Sequence, residues 1–264
     1  MTTLAEATLL LAEHLAIDFS RGTAASGSAT TLVDTARTTR DALFDGGTIW
    51  ITSGTHIGKS RDITSWDLPT FTFTFPTLTT AVAAGVTYAV AGSDYPREKL
   101  IQALNLGILK LNGVIKLDET LTVVPYQEEY TLPTGVTDIK RIEIAQFATA
   151  PYYFSPNLYW EVVEGKIRFD PGAAPDQGYT MRIFHNVLPA DLVNDADVID
   201  AQIPRKYWFA AGAYYALKAR IAHTKTTDQV LLQLLAEAER DYLSALRDIK
   251  KLPRDPHPVY WGEL

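Results

Sequence analysis

The spacing of apolar residues switches repeatedly along this chain between the period of a helix and the period of a strand. Between Thr3 and Ala16, Leu4, Leu11 and Leu15 lie on one helical stripe. From Thr31 to Val90 the side chains alternate instead, most clearly in the run TFTFTFP. Helical spacing returns at Tyr95, alternation covers Gly113 to Leu188, and a helix opens at Pro204. The sequence therefore predicts a helix, a β region, a second helix, a second β region and a final helical segment.

The final helical segment is predicted to form two antiparallel helices. The first runs from Pro204 to about His223, and the run HTKTT separates it from a second helix that Thr226 and Gln229 open as a capping box. The second helix carries a stripe of residues four and three positions apart: Leu231, Leu235, Ala238, Tyr242, Ala245 and Ile249. This stripe is typical of a coiled coil but spans too few heptads for a free-standing one. We therefore expect a helical hairpin.

Together these elements predict an α+β fold. We expect a helical bundle, made of the N-terminal helix, the central helix and the C-terminal αα-hairpin, that carries two antiparallel β insertions and an extended C-terminal arm. The predicted boundaries place the N-terminal helix in residues 1–16 and an inserted β domain in residues 17–92. Residues 93–252 would form a core of helix, sheet and hairpin, and residues 253–264 the arm.

The last stretch of the chain, KKLPRDPHPVYWGEL, is rich in proline and ends in aromatic residues. Each proline lacks an amide proton and disfavours helix in the residue before it, so we expect an extended arm. Exposed aromatic side chains are unfavourable unless another surface covers them. We interpret the arm as a docking peptide for a partner; the alternative is that it folds back on its own domain. The predicted docking residues are Pro253, Arg254, Asp255, Pro256, His257, Pro258, Val259, Tyr260 and Trp261.

Composition limits the possible partners. The net charge of −7 and the pI near 5.2 argue against a protein that grips nucleic-acid phosphates, although an acidic wall can still let nucleic acid pass without adhering. No apolar run approaches the roughly 20 residues that a membrane helix needs, so no membrane partner is expected. The absence of cysteine excludes disulfides and thiolate chemistry.

The run SGTHIGKS resembles a phosphate-binding loop, but two features argue against that function. The motif requires glycine where Ser53 stands, and it requires a helix directly after Ser60. The following residues, RDITSW, alternate as a strand does, so the helix N-terminus that would bind phosphate is missing. We predict a β-hairpin turn here.

No residue set predicts catalysis, a cofactor or a metal ion. The five histidines lie at no metal-binding spacing, and no nucleophile elbow or convincing nucleophile–base pair occurs. The acidic run ADLVNDADVIDAQIP could suggest calcium, but it lacks the glycine and the final glutamate of an EF-hand loop. We interpret it as a solvated acidic linker that also caps the helix at Pro204.

Aromatic residues cluster in the second β region at Tyr152, Tyr153, Phe154, Tyr159 and Trp160. Such a cluster can bind sugars or bases, but sheet packing and subunit contacts use the same residues more often. We predict that Tyr159 and Trp160, together with the Leu231–Ile249 stripe, form contacts between subunits.

Three segments carry a resemblance to a known family: EEYTLPTGVTDIKRIEIA, LYWEVVEGKIRFDPG, and YTMRIFHNVLPADLVNDADVIDAQIPRKYWFAAGAYYALKARIA. The shared pattern is a strand ending in Leu-Pro, a strand with an aromatic pair, an Asn-Val-Leu-Pro turn, an acidic loop and a helix rich in alanine and tyrosine. With the earlier helical segment DYPREKLIQALNLGILKLN, the chain resembles tailed-bacteriophage head-to-tail adaptor proteins over about residues 94–249.

The resemblance implies a structural virion protein rather than an enzyme. Such proteins form a homo-oligomeric ring, commonly of twelve subunits, which lies in the virion neck between the portal and a downstream tail or neck protein. Genomic DNA passes through the channel without sequence-specific binding, and assembly takes place in the host cytoplasm. In such families the helices form the body of the ring and a C-terminal arm often docks on the portal. The segment from Gly22 to Val90 has no place in the family pattern.

Two other functions fit part of the sequence. The chain could be a different neck or tail component, such as a tail-completion or fibre-attachment protein, which would not touch the portal. It could also be a carbohydrate-binding module or hydrolase that uses Trp66 or Trp160.

Overall fold

The computed structural model describes residues 1–147, 153–170, 172, 174–176, 178–225 and 228–250. The predicted docking arm lies outside the described residues, as do Tyr152 and the predicted cap Thr226. The chain forms two compact units. The first combines Met1–Lys110 with the described part of Ala190–Leu252, and the second lies within Leu111–Pro189.

The helices lie close to where the apolar spacing predicts them. Their bounds are Leu4–Leu15 for α1, Arg97–Leu109 for α2, Arg205–Thr224 for α3 and Gln229–Lys250 for α4. Thr3 caps α1 in a capping box with Glu6: the Glu6 amide donates to the Thr3 hydroxyl, and the Thr3 amide donates to the Glu6 carboxylate.

The strands of the first unit are short. They are β1 (Ser20–Thr23), β2 (Ser26–Gly27), β3 (Thr31–Val33), β4 (Thr48–Ile51), β5 (Lys59–Asp62), β6 (Ser65–Asp67), β7 (Thr72–Thr74) and β8 (Thr87–Ala91). They pair in two antiparallel sheets of order β1-β8-β4-β5 and β2-β3-β7-β6. Both sheets contribute to one core, which includes Leu32, Phe44, Ile49, Ile51, Trp66, Phe73, Tyr88 and Val90.

A buried arginine lies inside this core. The Arg37 guanidinium lies over the rings of Phe44, Phe73 and Tyr88, 5.3 to 5.6 Å from their centroids. Its Nε donates to the Tyr88 hydroxyl at 3.0 Å, and that hydroxyl donates to Asp34 Oδ2 at 2.7 Å. Burial and this bond to Asp34 raise the pKa of Tyr88, which therefore stays protonated. The charge of Arg37 is thus balanced by a carboxylate within the core.

Strand β4 is buried along its whole length because both of its faces are covered. Ile49 and Ile51 belong to the core that the two sheets share. On the opposite face, the indole of Trp50 donates to the Thr8 hydroxyl of α1 at 3.1 Å. The Thr48 hydroxyl accepts from the Arg97 amide at 2.9 Å and so satisfies one amide in the first turn of α2. The helices therefore pack on the outer face of this sheet.

The second unit holds the remaining strands. They are β9 (Val114–Asp118), β10 (Glu129–Thr131), β11 (Asp138–Ala145), β12 (Phe154–Asn157), β13 (Trp160–Val163), β14 (Lys166–Phe169) and β15 (Met181–Val187). They form antiparallel sheets of order β10-β14-β13 and β12-β11-β15-β9. A separate core lies between them: Val123, Tyr130, Val136, Ile142, Ile167, Phe169, Met181 and Ile183.

The predicted fold class is wrong in its architecture. Strands occupy nearly as much of the described chain as helices and form four antiparallel sheets, so the fold is a β-rich α+β fold and not a helical bundle with two β insertions. Alternation of side chains marks one buried face for each strand but does not tell how many sheets the strands form. Each β region turned out to contain two sheets around a core of its own.

Close approach of α2 and α3 fixes the helical layer of the first unit. A Cβ built on Gly107 would lie 2.7 Å from the Ala211 Cβ, which is closer than two carbon atoms can pack. The Tyr207 hydroxyl donates to the Gly107 carbonyl at 2.8 Å. Beside this contact, Gly212 faces the side chains of Leu11 in α1 and Leu104 in α2. Three helices therefore meet at positions where only a hydrogen atom or a methyl group fits.

We predict that Gly107→Ala destabilises the protein by about 1–2 kcal/mol, measured by thermal or denaturant unfolding. At an exposed helix position this change would stabilise by about 1 kcal/mol, but the new methyl group here meets a Cβ that cannot rotate away. The matched control is Gly212→Ala, whose methyl group would meet the flexible ends of Leu11 and Leu104 and should cost less. A Gly107→Ala variant as stable as the unmodified chain would show that the helices can separate freely.

Candidate functional site

The apolar stripe predicted for subunit contacts packs largely within the hairpin of the same chain. Ala238, Tyr242 and Ala245 on α4 are buried, and the ring of Tyr242 stacks on that of Tyr214 in α3 with centroids 5.3 Å apart. The Tyr242 ring also contacts Tyr215 in α3 edge-on. The helix that approaches these alanines is therefore α3.

The ends of the stripe keep some exposed surface. Leu231, Leu235 and Ile249 are half-buried. Tyr215 contacts Tyr242 in the middle of the stripe. Burial raises the pKa of the Tyr215 hydroxyl to about 12, so this hydroxyl remains protonated at neutral pH. The middle of the stripe holds the hairpin together, and only its ends can reach another molecule.

Helix α4 carries exposed apolar residues on both sides of the buried stripe, and sequence reasoning missed them. Val230, Leu232, Leu234 and Leu243 are each more than 40% exposed. The run VLLQLL could have indicated them, because it holds more apolar residues than one stripe against α3 can bury. With 3.6 residues per turn, Val230 and Leu234 lie on one side of the buried stripe, and Leu232 and Leu243 lie on its other side. These four residues, called the α4 outer surface below, are candidate protein contacts.

The two aromatic residues predicted for subunit contacts in the second unit differ in exposure. Trp160 is half-buried against the core of this unit, and its indole donates to the Asn157 carbonyl at 2.9 Å. Tyr159 is 63% exposed, and Leu158 beside it is 55% exposed. Tyr153 is also exposed and meets Phe147 edge-on at 5.9 Å. Trp160 mainly supports the sheet, whereas Tyr159 is available for contact.

Trp66, proposed above for sugar binding, is only 2% exposed and packs on Phe73 with ring centroids 4.3 Å apart. A sugar-binding platform requires an exposed ring face, and Trp66 offers none. The structure therefore gives the carbohydrate-binding interpretation no support at this residue.

Basic and aromatic side chains alternate on the outer face of the sheet β12-β11-β15-β9. The Arg182 guanidinium lies 3.5 Å from the Phe154 ring centroid and pairs with Glu119 at 2.5 Å. The Arg141 guanidinium lies over the ring of Phe184 and pairs with Glu143. Each arginine is thus matched by a carboxylate, which does not favour binding of phosphate groups to this face.

The interpretation of the acidic run as a solvated linker is wrong for its central residue. Asp195 is only 7% exposed, and it accepts hydrogen bonds from the amide and the hydroxyl of Ser60 in β5. Arg97 in α2 donates to the same carboxylate at 3.0 Å, and Arg61 lies at 3.5 Å. The run does not cap α3 either, because Pro204 precedes that helix without a side-chain cap. Asp195 instead joins this segment to a strand and a helix of the first unit.

The structure confirms a turn rather than a phosphate-binding loop at SGTHIGKS. Gly54–His56 forms a single 3₁₀ turn, and strand β5 follows it directly at Lys59. His56 is buried, and its Nε2 lies 2.9 Å from the Thr80 carbonyl oxygen. The element that follows this loop is a strand and not a helix, so the loop does not lead into a helix N-terminus that could bind phosphate.

Within the part of the chain that the structure describes, no three histidine, aspartate or glutamate side chains come together as a metal site would require. None of its helices combines the length and the apolar character needed to cross a bilayer.

Comparison with known families gives the class of this protein: it is a bacteriophage adaptor protein, because a model of such a family matches residues 73–261. That range covers more than half of the chain. The chain therefore belongs to the SU10 adaptor protein family. A search of curated proteins finds no match.

Family membership confirms part of the prediction. The chain is a phage adaptor, from a family of structural virion components that interact with other phage structural proteins and are not enzymes. The match includes β8, α2, the second unit, the hairpin and most of the predicted arm. Residues 1–72, with α1 and most strands of the first β region, lie outside it. Sequence reasoning likewise found no place in the family pattern for most of that region.

We predict that Asp195→Asn destabilises the protein by about 2 kcal/mol in denaturant unfolding. Removing the charge leaves Arg97 partly buried without its carboxylate, and partial exposure of both arginines moderates the loss. Asp191→Asn, an exposed position in the same acidic run, is the matched control and should change stability by less than about 0.5 kcal/mol. Equal effects of the two substitutions would restore the solvated-linker interpretation.

Proposed function

We propose that this protein is the head-to-tail adaptor of a tailed-phage particle. Several copies form a ring in the virion neck, between the portal and the next tail or neck protein, and genomic DNA passes through the channel. The observation that carries this proposal is the family match over residues 73–261, which identifies a phage adaptor. The match alone does not give three details of the proposal: the position between portal and tail, the ring of about twelve copies and assembly in the host cytoplasm. We take these from the resemblance described above.

The exposed apolar surfaces support a ring. Neighbours in a ring contact each other through two different surfaces of each subunit. The chain carries exposed apolar side chains on the α4 outer surface and, in the second unit, around Leu158 and Tyr159. Leu231, Leu235 and Ile249 adjoin the first of these surfaces. A net charge of −7 is compatible with DNA moving past the ring without being held.

A paired substitution tests the contribution of the α4 outer surface. Leu232→Glu with Leu234→Glu places two carboxylates in the proposed contact, and we expect a folded monomer that enters particles at least about tenfold less efficiently. Gln233→Glu with Ser244→Glu adds the same charge at exposed positions of α4 and should have little effect. Incorporation is measured by quantitative mass spectrometry of purified particles. Unchanged incorporation of the leucine variant would remove this surface from the ring contact.

We propose that the arm, Pro253 to Trp261, docks on the portal. The family match extends through Trp261, so the arm belongs to the matched region. Docking must bury enough of Tyr260 and Trp261 to exceed the conformational entropy that an extended arm loses on binding.

Truncation separates docking from folding. We expect that a chain without residues 253–264 keeps its thermal unfolding temperature but no longer joins DNA-filled heads in a complementation assay. A chain that lacks only Gly262–Leu264 keeps all the predicted docking residues and should attach normally. If the longer truncation attaches as well as the intact chain, the arm is not the docking element. If adaptor density in images of the particle lies away from the portal, the protein is another neck or tail component.

A further inference from the structure

A groove lies between the N-terminal half of α2 and the C-terminal half of α3 in the first unit. Its cavity measures about 320 Å³ and is lined by residues from 93 to 106 and from 215 to 224. The contact of Gly107 with Ala211 closes one end, because the two helices touch there. From Tyr95 to Leu106 the groove extends about 16 Å along α2, which is the length of four or five extended residues.

One end of the groove is apolar. Its floor contains the small side chains of Ala103 and Ala216, which are buried, and Ala219 follows along α3. Leu106 and Tyr215 stand beside this floor, and Leu106 is 49% exposed. A side chain from another molecule can lie on the alanines because they leave space that larger residues would fill.

The other end of the groove is cationic. Its charged lining consists of Lys99 and Arg220 against the single carboxylate of Asp94, and His223 adds a titratable ring. Arg220 is held in place: its guanidinium lies 4.9 Å from the Tyr95 ring centroid and donates to Asp94 at 2.5 Å. Arginine offers five N–H donors, so the contacts of Arg220 with Asp94 and the Tyr95 hydroxyl leave others for a second acceptor. Lys99 is exposed, and among the described residues its ammonium group has only a long contact of 3.5 Å to Gln102.

Tyr95 adds a donor next to this cationic end. Its side chain is 1% exposed, and the group beside its hydroxyl is the Arg220 guanidinium, which can only donate; among the described residues no acceptor meets the hydroxyl proton. Burial raises the pKa of this hydroxyl, against an opposing effect of Arg220, so it keeps its proton. Asp94 supplies the only carboxylate among the lining residues, so a second carboxylate docked against Arg220 and Lys99 would meet donors that Asp94 leaves unfilled.

We propose that this groove binds an extended segment of a partner protein in which an apolar side chain is followed, within about three residues, by an aspartate or glutamate. The apolar side chain lies on the alanine floor and the carboxylate on Arg220 and Lys99. The volume suits one or two side chains, which is too little for a whole helix. The occupant is a protein because the chain is a phage adaptor and works by contacting other structural proteins. The proposal rests on that role but not on docking of the arm.

Peptide binding to the purified full-length protein tests the chemistry. The probes are peptides with an acetylated N-terminus and an amidated C-terminus. In one set, glutamate stands one, two or three positions after a leucine, and in the matched set glutamine replaces this glutamate. We expect glutamate peptides at about 1 mM to shift the backbone amide NMR signals of Ala103, Ala216 and Ala219, and to bind about tenfold more tightly than glutamine peptides. Equal binding of both sets, or no shift in these three signals, overturns the proposal.

Two substitutions locate the charge contact without disturbing the fold. Lys99→Gln changes an exposed side chain and should weaken binding of glutamate peptides about threefold, with no effect on glutamine peptides. The matched control is Lys110→Gln, an exposed position at the end of α2 that does not line the groove, and it should leave binding unchanged. Equal effects of both substitutions would mean that the peptides respond only to net charge.

Crosslinking in assembled particles tests the natural occupant. A photoreactive benzoylphenylalanine in place of Gln102 stands at the edge of the groove. We expect it to join a residue of another chain that lies within about three positions of an aspartate or glutamate. A crosslink to a segment without a carboxylate, or the absence of any crosslink in particles that contain the variant, contradicts the proposal. If a chain without the arm still attaches to heads, the portal-docking proposal is wrong. That outcome does not bear on the groove, which the peptide experiment tests separately.

Discussion

The arrangement of the first unit depends on the contact between Gly107 of α2 and Ala211 of α3. Because the backbones approach within the width of a methyl group there, the axes of both helices are fixed relative to each other. Gly212 lets α1 join the same contact through Leu11. The sheet is positioned by the same layer, since α1 and α2 each bond to the outer face of β4 through Thr8 and Arg97. The groove between α2 and α3 begins beside this contact and ends where Arg220 meets Tyr95 and Asp94.

Sequence reasoning located the helices well because helical periodicity is a local property. The predicted range Thr3–Ala16 lies within one residue at each end of α1, and the break at HTKTT separates α3 from α4. It did not reveal the number of sheets, because a run such as TFTFTFP marks which residues share a face but not which strands are neighbours. In the structure only Thr72–Thr74 is strand, and Phe71 has a positive φ of 54°. Sheet partners are chosen by residues far away in the chain.

The candidate site could be predicted from the sequence only where it depends on local patterns. The stripe through Tyr242 was recognised as a helix contact, but sequence alone could not tell whether the contacting helix belonged to the same chain or to a neighbour. The buried role of Asp195 was hidden because aspartate usually lies in solvent, and only the positions of Ser60 and Arg97 make its burial favourable. The groove at Arg220 left no pattern at all, since its lining comes from two helices more than 100 positions apart. The family resemblance, by contrast, depended on local patterns and identified the class correctly.

The points where the chain leaves and re-enters the first unit are tied together by one side chain. Asn105, five residues before the exit at Lys110, accepts from the Leu192 amide at 3.0 Å and donates to the Leu192 carbonyl at 2.9 Å. The intervening 79 residues, Leu111–Pro189, carry a core of their own. The second unit is thus inserted in the sequence between two points of the first unit that lie close together. We expect the helices and sheets of the first unit to keep their partners when the length of the inserted segment changes.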